Sequence, residues 1–477
     1  MRLTHHEVHN LYAQPVSVIF PRYRYVLAFA VTPVGPVNIC VRNDFSTGGS
    51  IAVKLPDTDE KSYNTGGYIM KLRRKWSLLA GTAASSALMI SLSACGSTNS
   101  ASPLSSSTHS PYVLGMSISE TGAYSSLGIP EVDSAKLAVK QINAAGGVHG
   151  HLLKLVVLNS NSSATTAVEN FRQLIQNDKP LGLMGGASTG STMASIPEVE
   201  RAQIPLISFA SDTEVIQPIS QRQWIFKVPP VDITPMQVIL NYLKAHHLTR
   251  VAFVYGNFSY GTGALSDFNK IAPPQGFKLV ASEPVDLTAT NVTPQLARLK
   301  SVNPAPQAVL VWDIPPSADT VATDYRALGI TAPIFFSDGV SNDVFISLAK
   351  SAVNGVYVAS TKLLIANQLP ASDPQKSVLV HYINTYNQNY QSSAGPANMF
   401  GGFGYDGVYL FKNAIEKSGS SPSPTSVRNA LEHLNYNGVT GVMHMTPDNH
   451  NGLDPRSEVL IQIIHDQWKW VPGYYGN

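Results

Sequence analysis

The stretch from Leu137 to Ser160, LAVKQINAAGGVHGHLLKLVVLNS, switches from a helical to an extended hydrophobic period across a single turn. Ala135, Ala138, Val139 and Ile142 recur at the i, i+3, i+4, i+7 spacing of a helix with one buried face. Ala144-Ala145-Gly146-Gly147 ends that helix, because glycine takes the left-handed cap conformation without a steric cost. Leu152–Leu158 then reads as a strand, and Tyr112–Ser117 as another before the helix. Strand, helix, strand in this order predicts a parallel sheet covered by helices.

Working outward, the same alternation continues. Ala167–Ile175 is helical, with Phe171, Leu174 and Ile175 on one face, and Leu181–Gly185 and Pro205–Ser208 are further strands. The pattern restarts beyond a Pro-rich joint at Lys227–Pro235. Strands are predicted at 250–255, 278–283, 308–313 and 333–337, with helices at 261–272, 294–300 and 317–328 between them. Helical patterns at 375–391, 405–418 and 424–434 follow, and the chain ends in strands at 458–464 and 468–471. Two α/β units and a return segment predict two lobes with a cleft between them.

Composition narrows the function. Of 477 residues, 44% are hydrophobic and 13% charged, which suits a folded chain of more than one domain. Residues 1–95 hold ten Lys/Arg and five Asp/Glu, so the remainder is slightly acidic and has no basic stripe to grip phosphates. Nucleic acid is excluded as a partner on that ground.

Met70 opens a second ordered pattern. Lys71, Arg73, Arg74 and Lys75 precede the largely apolar run Trp76–Ser91, and Leu92-Ser93-Ala94-Cys95 closes it. Basic region, apolar region and small residues at a cut are the parts of a secretory signal. Gly81, Thr82 and several serines interrupt the run, as a permanent membrane span would not. Leu-Ser-Ala-Cys resembles the lipobox of bacterial lipoproteins, in which the cysteine is lipidated and becomes the new N-terminus. Residues 70–94 are therefore expected to be a signal peptide, Cys95 the lipidation site and 95–111 a Ser-rich tether. Residues 1–69 read as a translated upstream extension. The two cysteines are Cys40 and Cys95, so the mature domain lacks a thiol for disulfides, catalysis or metal. No cofactor or metal site is expected.

The run Glu120-Thr121-Gly122-Ala123-Tyr124, then Gly128, then Leu137 to Gly150, resembles the N-terminal signature of the leucine/isoleucine/valine-binding family. These are type I periplasmic solute receptors of ABC transporters. Ile204–Ser208, Ser259-Tyr260-Gly261 and Phe403–Gly407 fall in the family's order, and the resemblance spans roughly 111–475. It implies two doubly wound parallel-sheet lobes joined by three crossings. By analogy, lobe 1 is 111–231 plus 361–440 and lobe 2 is 232–360 plus 441–477. It also implies a small-molecule ligand, most simply an amino acid, permease subunits as partners, and an exported protein held at the membrane through its lipid.

Open α/β sheets bind ligands beyond the carboxyl ends of their strands, and three such ends carry suitable chemistry. Gly185–Thr192 leaves a strand and enters a helix, where free amides favour a carboxylate. The family resemblance gives Thr189 that role, while Ser188 is either a cap or a weaker contact. At Phe209-Ala210-Ser211-Asp212 the resemblance assigns the Ala210 carbonyl to a ligand ammonium. Where the family commonly has Thr or Ser, this chain has Asp212. A carboxylate cannot donate to a ligand carboxylate, so Asp212 is expected to cap the next helix or to meet a ligand amine. At the third end, Asp338 matches an acidic residue that pairs with the ammonium, and Tyr260 a tyrosine that packs on the ligand. Tyr124, Trp312 and Tyr405 are weaker candidates, and Ile314 stands where the branched-chain receptors have a tyrosine.

Rival readings are a receptor for another small solute (an amide, urea, an aromatic or carboxylic acid), a solute sensor, and a serine hydrolase. The last rests on Gly186-Ala187-Ser188-Thr189-Gly190, which fits the G-x-S-x-G pattern between a strand and a helix. Among small residues that pattern arises easily by chance.

Overall fold

The computed structural model describes residues 109–476 and the backbone of two antiparallel strands, β1 (Pro15–Phe20) and β2 (Tyr23–Ala28). That pair lies within 1–69, where the sequence shows no clear period. The stretch expected to be a signal peptide (70–94), Cys95 and the expected tether as far as 108 lie outside the described residues.

The first unit of the main body is β3 (Tyr112–Ile118), α1 (Ser125–Ala144), β4 (Leu153–Asn159), α2 (Ala164–Gln173), β5 (Gly182–Gly185), α3 (Thr189–Ala202), β6 (Leu206–Ser208) and β7 (Ile225–Lys227). Its five strands are all parallel and ordered β4-β3-β5-β6-β7. Parallel strands covered on both faces carry apolar residues throughout, and Leu114, Met116, Ile118, Leu183, Met184, Leu206 and Ile207 are all fully buried.

The second unit runs α4 (Ile233–Ala245), β8 (Arg250–Gly256), α5 (Ser259–Ile271), β9 (Lys278–Val285), α6 (Thr293–Lys300), β10 (Ala308–Trp312), α7 (Ser317–Ala327), β11 (Ile334–Phe336), α8 (Asp343–Ala349) and β12 (Tyr357–Thr361). The chain then returns to the first unit. Of α9 (Lys376–Ala394), α10 (Met399–Lys417) and α11 (Pro424–Leu431), the first two pack on α1 and α11 packs on α10. A short hairpin follows, β13 (Asn435–Asn437) with β14 (Val442–His444). The last strands, β15 (Glu458–Ile464) and β16 (Gln467–Tyr475), go back to the second sheet, whose order is β16-β15-β12-β11-β10-β8-β9. Beta15 pairs antiparallel with β12 and with β16, and the other pairings are parallel. The main chain therefore passes between the lobes three times: after Lys227, after Thr361, and between β14 and β15.

The first crossing is tied down by buried polar groups. Lys227 is fully buried, and its ammonium donates to the carbonyls of Ser211, Asp212 and Pro230. Burial pulls its pKa down to about 8, against the opposing pull of Asp232 and other nearby carboxylates. Asn451 Nδ2 donates to the carbonyls of Lys227 and Pro229, joining the first crossing to the third.

Candidate functional site

The carboxyl ends of the strands in both sheets open onto one cavity of about 100 Å³. That is far more than the ~15 Å³ one water needs, so the cavity has room for a small molecule. Its walls come from the loops that follow β3, β5 and β6 on one side and β8, β10 and β11 on the other, with Phe400 and Phe403 of α10 closing it.

On the first wall, Gly185 and Gly186 carry φ of +122° and +69°, and a Cβ at either would overlap Ser117 or Thr192. Only glycine lets the chain turn this tightly into α3. Ser188 is the N-cap, its Oγ accepting from Ser191 N at 3.2 Å. Thr189 and Gly190 begin the helix, where amides lack intrahelical acceptors. Thr192 Oγ1 lies 3.0 Å from Ser208 Oγ, which accepts from Ala210 N at 3.1 Å. This chain of hydroxyls locks the two strand-end loops together, and it places Ser188, Thr189, Ala210 and Ser211 along one surface of the cavity.

The opposite wall is built around a buried acid. Asp338 is 1% exposed and follows β11 directly. Tyr260, in the first turn of α5, donates its hydroxyl to Asp338 Oδ1 at 2.7 Å, and Ser337 Oγ lies 2.9 Å from the same hydroxyl. Asp338 Oδ2 is buried and has no partner. Burial pushes the Asp338 carboxyl up to about 6, while the Tyr260 hydrogen bond and the Lys227 ammonium hold it lower than burial alone would. A buried carboxylate at the cavity wall with one oxygen satisfied and the other unpartnered has acceptor capacity left for a donor.

Between these two polar poles the lining is apolar: Tyr124, Leu127, Phe209, Phe258, Ile314, Phe400 and Phe403. Tyr124 and Phe258 meet edge to face across the cleft, 6.3 Å between centroids. So Thr189, Ser188, Ala210, Tyr260, Asp338, Tyr124 and Ile314 all converge on one cavity. Tyr260 does so with its hydroxyl engaged by Asp338.

Three expected residues stand elsewhere. Asp212 takes the capping alternative: its Oδ1 accepts from Glu214 N at 2.7 Å at the start of a 3₁₀ turn, and it does not line the cavity. Trp312 is fully buried behind Tyr260, its indole N–H directed at Asp232 Oδ1 at 3.4 Å. Tyr405 points back into the helical layer, donating to Gln141 Oε1 at 2.7 Å and packing on Tyr382 and Tyr409. Helical geometry explains that miss, since Phe400 and Phe403 at i, i+3 share the cavity face of α10 and Tyr405 does not. Phe258 and Leu127 were not singled out by sequence either, because a lone apolar residue after a strand carries no chemical signal.

Two lobes closing on a small cavity at their strand ends define a solute receptor of the type I periplasmic class. The chain belongs to the periplasmic binding protein family, which it matches over residues 111–456. It is 21% identical over 322 residues to a leucine-, isoleucine-, valine-, threonine- and alanine-binding protein of Pseudomonas aeruginosa, covering 67% of this chain and 82% of that one. An amino acid binding protein of the same organism is 26% identical over 260 residues, covering 53% and 67%. Among solved structures, an extracellular ligand-binding receptor of Rhodopseudomonas palustris superposes with a TM-score of 0.69 at 25% identity, over 76% of this chain and all of that one. A branched-chain amino acid transporter substrate binding protein of Streptococcus pneumoniae, in complex with isoleucine, shares the fold at 22% identity and a TM-score of 0.65, over 76% and 99%. The relatives are solute-binding proteins, and this chain is not an enzyme. The Ser188 hydroxyl donates to Ser191 Oγ at 2.9 Å.

Proposed function

We propose that this chain is the extracytoplasmic receptor of an ABC importer and captures an α-amino acid with an apolar side chain. One observation carries the reading: Asp338, with its buried Oδ2 unpartnered, and the amide end of α3 at Thr189 lie on opposite walls of a single largely apolar cavity. An ammonium suits the first, a carboxylate the second, and the aromatic lining the side chain. The Ala210 carbonyl supplies a second acceptor for the ammonium. Under this reading the lobes divide as 111–231 with 361–440 against 232–360 with 441–477; the sheet orders and the return of α9 and α10 to α1 support two discontinuous lobes, with the third crossing falling after β14.

Calorimetric titration with L-leucine, L-isoleucine, L-valine and L-phenylalanine tests it, beside isoamylamine and 4-methylpentanoate, which each lack one pole of leucine. Binding of at least one amino acid, tighter than either one-pole analogue, is the expected result. Tight binding of the acid alone, with no response to any amino acid, would overturn the reading. Thr189→Ala is expected to weaken the amino acid by about 1 kcal/mol, roughly fivefold, as one neutral hydrogen bond is lost.

The same reading places the receptor at the outer face of the membrane, held by lipid on Cys95 and able to reach the permease on the 95–111 tether. Mass spectrometry of the mature protein is expected to find lipidated Cys95 at the N-terminus and no peptide from 1–69. Cys95→Ala is expected to abolish incorporation of labelled fatty acid, and undiminished labelling in that variant would refute the lipobox.

A further inference from the structure

Asp212 does not line the cavity, yet its carboxylate reaches the opposite lobe. Helix α5 presents Ser259, Gly263 and Asp267, spaced i, i+4 and i+8, along one face. Each meets the first lobe. A Cβ built on Gly190, at the start of α3, would lie 3.8 Å from Ser259 Oγ. Asp212 Oδ2 rests against Gly263 so closely that a Cβ there would overlap it, and the three atoms nearest to that Cβ all belong to Asp212. Thr213 Oγ1 donates to Asp267 Oδ2 at 3.4 Å. Tyr260, beside Ser259, holds Asp338, so this face of α5 is tied to the second-lobe wall of the cavity.

The carboxylate that meets Gly263 is fixed from behind. Glu214 N holds its other oxygen, and the buried Lys227 ammonium donates to the carbonyls of Ser211 and Asp212, so the loop cannot swing away. We infer that the seating of Asp212 on Gly263 is the stop that sets how far the lobes close. Gly263 and Asp212 are then positioning residues for solute capture, acting on the open–closed equilibrium without touching the solute. The inference takes the interlobe cavity to be the capture site, but the contact itself is testable without any solute.

Gly263 lies inside α5, where alanine favours the helix itself, so a methyl group at this position opposes only lobe closure. The test uses the full chain with Cys40→Ala and Cys95→Ser, which removes every native thiol, and with Gly190→Cys and Ser259→Cys placed across the cleft. The separation at that pair lies within disulfide reach. Disulfide formation under oxidised glutathione at one pH reports how often the lobes close. The reference protein is expected to cross-link readily. Gly263→Ala should slow cross-linking at least fivefold with far-UV circular dichroism and thermal melting unchanged. Adding Asp212→Ser, which keeps a capping oxygen but withdraws the carboxylate, should restore the rate. A Gly263→Ala protein that cross-links at the reference rate, or one that Asp212→Ser does not rescue, overturns the inference. So does a reference protein that fails to cross-link. Because no solute is added, these outcomes stand apart from any failure of the amino-acid reading.

Discussion

Asp338→Ala is expected to weaken binding of an apolar amino acid by about 2–5 kcal/mol, the usual cost of deleting one partner from a desolvated charge pair. The loss has two parts. The ammonium would sit in an apolar cavity without its counter-charge, and the Tyr260 hydroxyl would lose the acceptor it now reaches at 2.7 Å. Asp338→Asn separates them, since the amide oxygen still accepts from Tyr260 while the charge is gone. Calorimetry on the two variants measures both parts. If Asp338→Ala binds as tightly as the parent, the ammonium pairing is wrong and a neutral or anionic solute takes its place.

The same carboxyl dictates a pH dependence. Burial pushes Asp338 up to about 6 in the empty receptor, and an ammonium binds only the ionised form. Affinity should level off near pH 7 and fall about tenfold per unit below about 6, until the lower pKa of the complex is reached, while a separate alkaline loss follows deprotonation of Lys227 and of the ligand ammonium. In Asp338→Asn that slope should vanish, which identifies the titrating group.

How far the sequence reached can be judged from particular elements. Strands with four or more consecutive apolar residues between turn signals, such as Val251–Val254 and Ala308–Trp312, fall within a residue or two of the predicted bounds. Elements that failed to register were short or masked by composition. Helix α4 begins inside the stretch read as a Pro-rich joint, yet it buries Met236, Val238, Ile239, Leu240 and Leu243 against the second lobe. Beta12, YVAST, ends in a small residue and two hydroxyls and draws its order from antiparallel pairing with β15, a hundred residues away in sequence. Such pairing leaves no local trace, so the discontinuous lobes came from the family resemblance and not from periodicity. At the site, the loops after β5, β6 and β11 were legible because glycine, hydroxyl and acid cluster at strand ends. The engagement of Tyr260 by Asp338 was not, since it depends on how α5 packs beside the loop after β11 within the second lobe, and the seating of Asp212 on Gly263 was not, since it depends on how the two lobes meet.

Gly404→Val is expected to destabilise the main body by about 3 kcal/mol, and Gly404→Ala by about 1–3 kcal/mol. Helix α10 is buried along most of its length and makes its widest contact with α1. The two cross where Gly404 faces the main chain of Glu131, so closely that a Cβ would overlap the Glu131 carbonyl. Gly401, one turn earlier, faces Ser134, Tyr382 and the Pro130 carbonyl in the same seam. Because the neighbour at Gly404 is backbone, no rotamer change can relieve the overlap, and the helices must separate. Separation would loosen the surroundings of Glu131, which is fully buried with neither carboxylate oxygen partnered and whose pKa burial raises well above the usual carboxylate range. A wider gap would admit water to that carboxyl and let it ionise. Against this, alanine gains about 1 kcal/mol over glycine in a helix interior, so the alanine variant is the sharper test. Denaturant unfolding measures the change directly. The same helix carries Phe400 and Phe403 into the cavity, so solute binding should weaken together with stability. A Gly404→Ala protein as stable as the parent would mean that α1 and α10 do not approach each other through this glycine.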